Sequence, residues 1–307
     1  MPVITDVTLC TISYGQKQVR EVRALYTALL ELGVTFIQLP LSTVSFIGNG
    51  LVRERTILVV PADDEAPDGF AGYVCEKPVE KGHSICEMRM VDEMPVWADE
   101  VRVTANASLF MRDYHAEFSG LLTKPNVTFC AKDAGQAGTA LTAEWLLSGG
   151  ERTVLSFLGL GGYAPLEQVL AALFAAGCRD FNMSALSAIA DAWETLAQQR
   201  IPNYCPVVGR RIFDVESGTH VDGVLKNNRC YEPFAPEDVG AQRHIAIGKH
   251  SGKAALAYKL KELGIVHSCN LDRLLELVRE SSMEKGRSLS DGEFAALAER
   301  AGGEDAA

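Results

Sequence analysis

Short apolar, β-branched runs recur along the first two thirds of this chain, and in its later part helical patterns separate them. Residues 3–9 (Val-Ile-Thr-Asp-Val-Thr-Leu) read as a buried strand. A helical pattern follows with Val22, Leu25, Leu29 and Leu32 on one face, and Gly33 is placed to stop it. Further strand-like runs lie at 34–39, 56–60, 84–90, 100–105, 126–131, 152–158 and 180–183, with a short edge strand at 72–75. Helical patterns occupy 109–122, 139–147, 165–176, with Pro165 in the first turn, and 185–199. Strand–helix alternation implies parallel pairing with right-handed crossovers. A compact (β/α)8 barrel over residues 1–203 fits this pattern, with an accessory region over 204–307. Periodicity alone also allows an open, doubly wound sheet.

Composition excludes several classes. Lys and Arg total 29 against 40 Asp and Glu, a formal net charge of -11, and no basic run offers a nucleic-acid footprint. No apolar segment approaches the ~18 residues of a membrane span, and the N-terminus lacks a signal pattern, so a cytoplasmic protein is expected. The eight cysteines, from Cys10 to Cys269, include no Cys-x-x-Cys pair and read as free thiols of a reducing compartment.

The most informative stretch is Asp214-Val215-Glu216-Ser217-Gly218-Thr219-His220-Val221-Asp222-Gly223, followed by Tyr231-Glu232-Pro233-Phe234 and Gly248-Lys249-His250-Ser251-Gly252-Lys253. From about residue 207 to 301 the chain resembles the region after the barrel in homocitrate synthases, above all the nitrogen-fixation type. Isopropylmalate and citramalate synthases share that region. The resemblance implies a TIM-barrel fold of the metal-dependent acyltransferase type, in which chemistry sits at the C-terminal strand ends.

Against that family's pattern the barrel of this chain departs at each site element. Where the first strand normally ends in Asp-Thr-Thr-Leu-Arg-Asp-Gly, this chain has Asp6-Val7-Thr8-Leu9-Cys10-Thr11-Ile12. The arginine that stabilises an enolate or oxo acid is thus Cys10, and the metal-binding aspartate is Thr11. The strand that should carry His-Ala-His-Asn-Asp, counted here as the sixth, reads Cys130-Ala131-Lys132-Asp133-Ala134. Both imidazole ligands are replaced, and a lysine ammonium repels a divalent cation or takes its charge site. The segment matching Ala-Asp-Thr-hydrophobic-Gly, counted as the fifth strand, is Thr104-Ala105-Asn106-Ala107-Ser108, and the glycine-rich loop is Gly159-Leu160-Gly161-Gly162-Tyr163-Ala164-Pro165. The region between 41 and 100 looks trimmed, with one or two helices missing. No metal is expected in this barrel, and no cofactor.

The accessory region keeps more. In the family it reaches over the barrel mouth of a neighbouring subunit, where a histidine and a tyrosine assist proton transfer. His220 and Tyr231 match those positions, and a near-neutral imidazole with a phenol donor suits that work. Glu216 also matches, while Val215 stands where the family has histidine. Lys249 and Lys253 are weak candidates for substrate binding through a CoA phosphate, and His250 reads as structural.

The resemblance therefore implies a subunit that completes the active site of an intact homologue, in a homo- or hetero-oligomer. The complex would use acetyl-CoA and a 2-oxo acid, 2-oxoglutarate first. Two alternatives stand beside it: a regulatory pseudoenzyme binding an oxo acid or acyl-CoA, and rebuilt metal-free chemistry on Lys132 or Cys130. A thiolate metal site or new nucleophile among Cys10, Cys86 and Cys130 is weighed against plain space-filling thiols, which is the better reading. The pattern Gly159-Leu160-Gly161-Gly162-Tyr163-Ala164 formally fits a dinucleotide loop, with Asp180 downstream, but it falls late in the chain and is read as a decoy. Asn-x-Ser/Thr at Asn106 and Asn126 is likewise discounted without a secretory route.

Overall fold

The computed structural model describes residues 1–80, 82–90, 93–266 and 270–303. Cys269 and residues 304–307, most of the 302–307 tail whose sequence reads as frayed, lie outside them. Two compact units meet between Val208 and Gly209.

In the first unit, eight parallel strands close on themselves. They are β1 (Val3–Asp6), β2 (Phe36–Pro40), β3 (Thr56–Val59), β4 (Gly72–Val74), β5 (Ser84–Arg89), β6 (Glu100–Ala105), β7 (Val127–Ala131) and β8 (Arg152–Ser156). Closure comes from β8 pairing with β1, Val3 against Arg152 through Asp6 against Leu155. The barrel expectation therefore holds and the open sheet is excluded. A two-residue β9 (Ala164–Pro165) adds to β8.

The strand count differs from the expected one in two places. Residues 72–74 form a full barrel strand, hydrogen-bonded between β3 and β5, and not an edge. Every later strand thus moves up by one, so 100–105 is the sixth and 127–131 the seventh. Residues 180–183 are not a strand: the amide of Asn182 donates to the Leu32 carbonyl at 2.9 Å, and the chain turns at Met183–Ala185. Phe181 and Met183 are buried there as packing residues.

Helices follow the strands unevenly. The first strand stops at Asp6, earlier than expected, because its carboxylate accepts from the Thr8 amide at 3.0 Å and the Thr8 hydroxyl at 2.8 Å. That turns the chain into the single-turn α1 (Thr8–Thr11). Next, α2 (Val19–Leu32) buries Val22, Leu25, Leu29 and Leu32, and Gly33 ends it at φ +94°, a left-handed cap that favours glycine. Between β2 and β6 the only α-helix among the described residues is the four-residue α3 (Val44–Ile47), so the trimming expected from sequence is real. The pattern at 109–122 splits into a 3-10 turn and α4 (Tyr114–Leu122), capped by the Asp113 carboxylate. Then come α5 (Ala137–Leu147), α6 (Leu166–Ala175), with Pro165 just before its first turn, and α7 (Leu186–Ala197). Phe118, Phe129 and Trp145 meet edge-on or tilted at 5.1–5.6 Å between strand and helices.

The second unit is mostly helical: α8 (Gly218–Asn227), α9 (Lys253–Glu262), α10 (Leu271–Lys285) and α11 (Asp291–Gly303). A short parallel pair, β10 (Asp214–Val215) with β11 (His244–Ile245), accompanies them. Its core gathers Val215, Val221, Ile247, Leu256, Val278 and Phe294 among others. A capping box opens α11, with the Ser290 amide donating to Glu293 at 2.8 Å and the Glu293 amide to the Ser290 hydroxyl at 3.3 Å.

Candidate functional site

At the C-terminal ends of β5, β6 and β7 a cleft of about 730 Å³ opens, lined by Glu87, Arg89, Thr104, Asn106, Ser108 and Lys132 among others. Parallel barrel strands deliver their last residues to one rim, so these side chains converge from distant parts of the sequence. Lys132 follows β7 directly. Its ammonium donates to the Glu87 carboxylate at 3.0 Å and to the Tyr163 hydroxyl at 3.3 Å. Burial acts to lower the Lys132 pKa, but the Glu87 hydrogen bond and charge, helped by Tyr163, outweigh it and hold Lys132 above the ordinary lysine value.

The glycine-rich loop after β8 frames the same rim. Leu158, Gly159, Gly161 and Gly162 all take positive φ. A Cβ on Gly161 would lie 2.7 Å from the Thr11 methyl, and one on Gly162 would lie 2.3 Å from the Asp133 carboxylate. Glycine is needed at both for this close approach. The loop returns through β9 before α6 begins, with Tyr163 bridged to Lys132. It is a wall of the mouth, not a strand-to-helix phosphate turn.

Beneath the rim, Cys10 and Cys130 pack in one small cluster with Val7, Val154 and Tyr163. Burial, the largest cause in each case, pushes both thiols up to about 12. They are protonated fillers at neutral pH, which removes them as metal-binding thiolates. Cys86 stands apart from that cluster. Deeper still, Arg102 is 1 % exposed. Its Nη1 donates to the Gln38 side chain, its Nε lies 3.7 Å from Glu100, and its Nη2 has no hydrogen-bond partner among the described residues.

The residues at this mouth do not fit the divalent metal that the family pattern implies. A charged ammonium with its own carboxylate stands at the position expected for an imidazole, Thr11 bonds back to the Thr8 carbonyl at 2.8 Å, and the nearby thiols keep their protons. Sequence reasoning found Lys132 but missed Glu87. The available signal was a carboxylate two residues beyond Ile85, on the same strand face, facing the rim where a lysine needed a counter-charge.

The accessory unit brings His220 and Tyr231 together. The imidazole and phenol rings lie 4.9 Å apart, tilted by 33°, against α8, and both residues are exposed. Gly223 permits this: a Cβ there would come within 2.2 Å of the Tyr231 hydroxyl. Glu216 is employed within its own unit. Its carboxylate accepts from the His250 amide at 3.3 Å and from the Ser288 hydroxyl at 2.9 Å. The Lys253 ammonium is paired to Asp272 at 2.6 Å, and the Lys249 amide bonds to Ser282 at 3.2 Å. Val215, where a histidine was expected, is 8 % exposed in the unit's core.

Fold and site together define a closed parallel barrel with a rebuilt, ion-paired mouth, followed by a helical unit that carries an exposed histidine–tyrosine pair. Residues 207–285 match the homocitrate synthase post-HMGL domain-like family. The homocitrate synthase omega subunit of Clostridium pasteurianum is 34% identical over 189 residues, covering 60% of this chain and 51% of that protein. Homocitrate synthase AksA of Methanothermobacter thermautotrophicus is 38% identical over 168 residues, covering 53% and 42%. The (R)-citramalate synthase CimA of Methanocaldococcus jannaschii is 37% identical over 179 residues, covering 56% and 36%. The chain is thus similar to homocitrate and citramalate synthases, with the family match at residues 207–285, and it spans about half or less of the length of these relatives.

Proposed function

We propose that this chain is a supporting subunit for an acetyl-CoA-dependent condensation with a 2-oxo acid, lending His220 and Tyr231 in trans to the barrel of an intact homologue in the cytosol. The carrying observation is the contrast within one chain: an ion-paired Lys132 in its own mouth, and an exposed, stacked His220–Tyr231 pair. The name omega subunit borne by the Clostridium pasteurianum relative supports a division into subunits.

In the partner's mouth the imidazole takes a proton from the acetyl methyl, and the resulting enolate carbon attacks the oxo carbonyl. The phenol donates a hydrogen bond to the alkoxide as it develops. Hydrolysis of the thioester then releases CoA. The polarising metal of that reaction belongs to the partner. The test is release of CoA thiol from acetyl-CoA with 2-oxoglutarate, pyruvate or 2-oxoisovalerate, using this chain alone, an intact homologue alone, and both. Activity confined to the mixture, and reduced about 100-fold by His220→Ala, is expected. Full activity of the homologue alone would sink the proposal.

A second reading, a regulatory member that binds an oxo acid or acyl-CoA without turning it over, is favoured by the open cleft beside Lys132. It predicts no turnover in any mixture together with saturable binding of the oxo acid or acyl-CoA by this chain.

A further inference from the structure

β4 and β5 run parallel with Tyr73 opposite Ser84 and Val74 opposite Ile85. The next residues in that register are Cys75 and Cys86, and the Cys75 amide still donates to the Ile85 carbonyl at 3.1 Å, so the ladder extends to them. Residues opposite each other in parallel strands turn to the same face of the sheet. Glu87, the next residue of β5, turns toward Lys132 in the mouth, so Cys86 and its neighbour Cys75 face outward. This is the stretch of barrel whose connections hold no helix longer than α3 among the described residues. Both thiols are half-buried. Neighbouring strands lie about 4.8 Å apart, within the ~4.4–6.8 Å that separates disulfide-bonded Cα atoms.

Cys75 also lines a second cleft, of about 590 Å³, together with Asp63, Asp64, Glu65, Glu76 and Lys77. That acidic surround favours a positively charged reagent and disfavours an anionic one.

We propose that Cys75 and Cys86 form a reversible disulfide across β4 and β5, made by exchange with a small, positively charged disulfide. The Cys75 thiolate attacks one reagent sulfur and the other leaves as a thiolate. The Cys86 thiolate then attacks the Cys75 sulfur of the mixed disulfide and expels the second reagent thiolate. Two protein thiol protons are released and two electrons pass to the reagent, which is reduced to two thiols. Burial raises both protein thiols, so the exchange runs faster as pH rises. The bond forms one residue before Glu87 and ties the shortest barrel strand to the one that supplies the counter-charge of Lys132.

The test is incubation of the folded full chain with cystamine at mildly alkaline pH, followed by non-reducing digestion and mass spectrometry. A peptide pair joined through Cys75 and Cys86, lighter by two hydrogens and absent from both Cys75→Ser and Cys86→Ser, is expected, and dithiothreitol should reverse it. Three results would overturn the proposal: separate cystamine adducts on the two residues without a link, no reaction at either while exposed Cys230 is labelled, or links among other cysteines instead.

Discussion

Replacing Lys132 by methionine removes the ammonium at the centre of the barrel mouth and keeps most of the side chain's volume. Lys132 and Glu87 are 33% and 27% exposed, and their contact is 3.0 Å. That setting lies between exposed pairs, worth ~0.2–1 kcal/mol, and buried pairs, whose breakage costs ~3–5 kcal/mol. Lys132→Met should therefore cost about 1–2 kcal/mol, because Glu87 is left half-buried without its partner. Glu87→Gln should cost less, about 1 kcal/mol, since the amide still accepts from the ammonium. The double variant should fall short of the sum by about 1 kcal/mol, the coupling of the pair. Trp97, Trp145 and Trp193 all lie in the barrel unit, so urea unfolding followed by tryptophan fluorescence reports on it alone. The contribution should also be flat across neutral pH. A lysine raised in the folded state stabilises fully below its unfolded pKa of ~10.4 and loses that contribution as pH rises through the folded value. Additivity of the two single variants to within ~0.3 kcal/mol would refute the coupling and the account of the mouth as a self-neutralised centre.

Gly150→Ala should destabilise the barrel by about 2–3 kcal/mol, because the new Cβ would sit 2.1 Å from the Trp145 indole, which is pinned by its bond to the Arg152 carbonyl and by Phe118 and Phe129. Thermal denaturation checks this, and an unchanged Tm contradicts it. Gly223→Ala should cost under ~1 kcal/mol, since half-exposed Tyr231 can swing away, yet it should open the His220 stack. Unmoved His220 ring-proton shifts would contradict that. Burial, the largest cause for both, pushes Asp6 and Glu167 up to about 7. Between pH ~4 and ~7 the folded chain then holds protons that the unfolded chain has released, so these groups make stability fall as pH rises through that window. Glu167→Gln should flatten the slope of unfolding free energy against pH there by up to one proton, and an identical slope would refute it.

The barrel was legible where strands carry dense apolar, β-branched runs and where one residue marks a boundary, as Gly33 does at the end of α2. It was illegible where pairing and not composition makes the strand. β4 is three residues long, and only its two neighbours distinguish it from an edge. Conversely, Phe181 and Met183 alternate like a strand, but the amide of Asn182 between them bonds to the Leu32 carbonyl at the end of α2. The helix α8 escaped notice because Gly218, Thr219 and Gly223 weaken its helical signal. In the site, Lys132, Cys10, Cys130 and the His220–Tyr231 pair were readable from their positions in motifs. Glu87 and Arg102 were not, because a charge inside a barrel is explained only by what stands across from it.

The way this mouth is rebuilt separates replacement from decay. A lysine placed alone at the rim would be a desolvated charge costing several kcal/mol, and the chain would shift its pKa downward to shed the proton. Instead Glu87 arrives from β5 and Tyr163 from the glycine-rich loop, and the net result is a lysine held charged. Cys10 and Cys130 fill the layer beneath with protonated thiols, so no further cation is required there. The accessory unit follows the same logic. Val215 enters the core, where an imidazole would need a partner, while Glu216 turns its carboxylate to His250 and Ser288 and fixes the 248–251 loop. The His220–Tyr231 face stays exposed, with Gly223 beneath it, and under the proposed function it is the surface that would meet the partner's barrel.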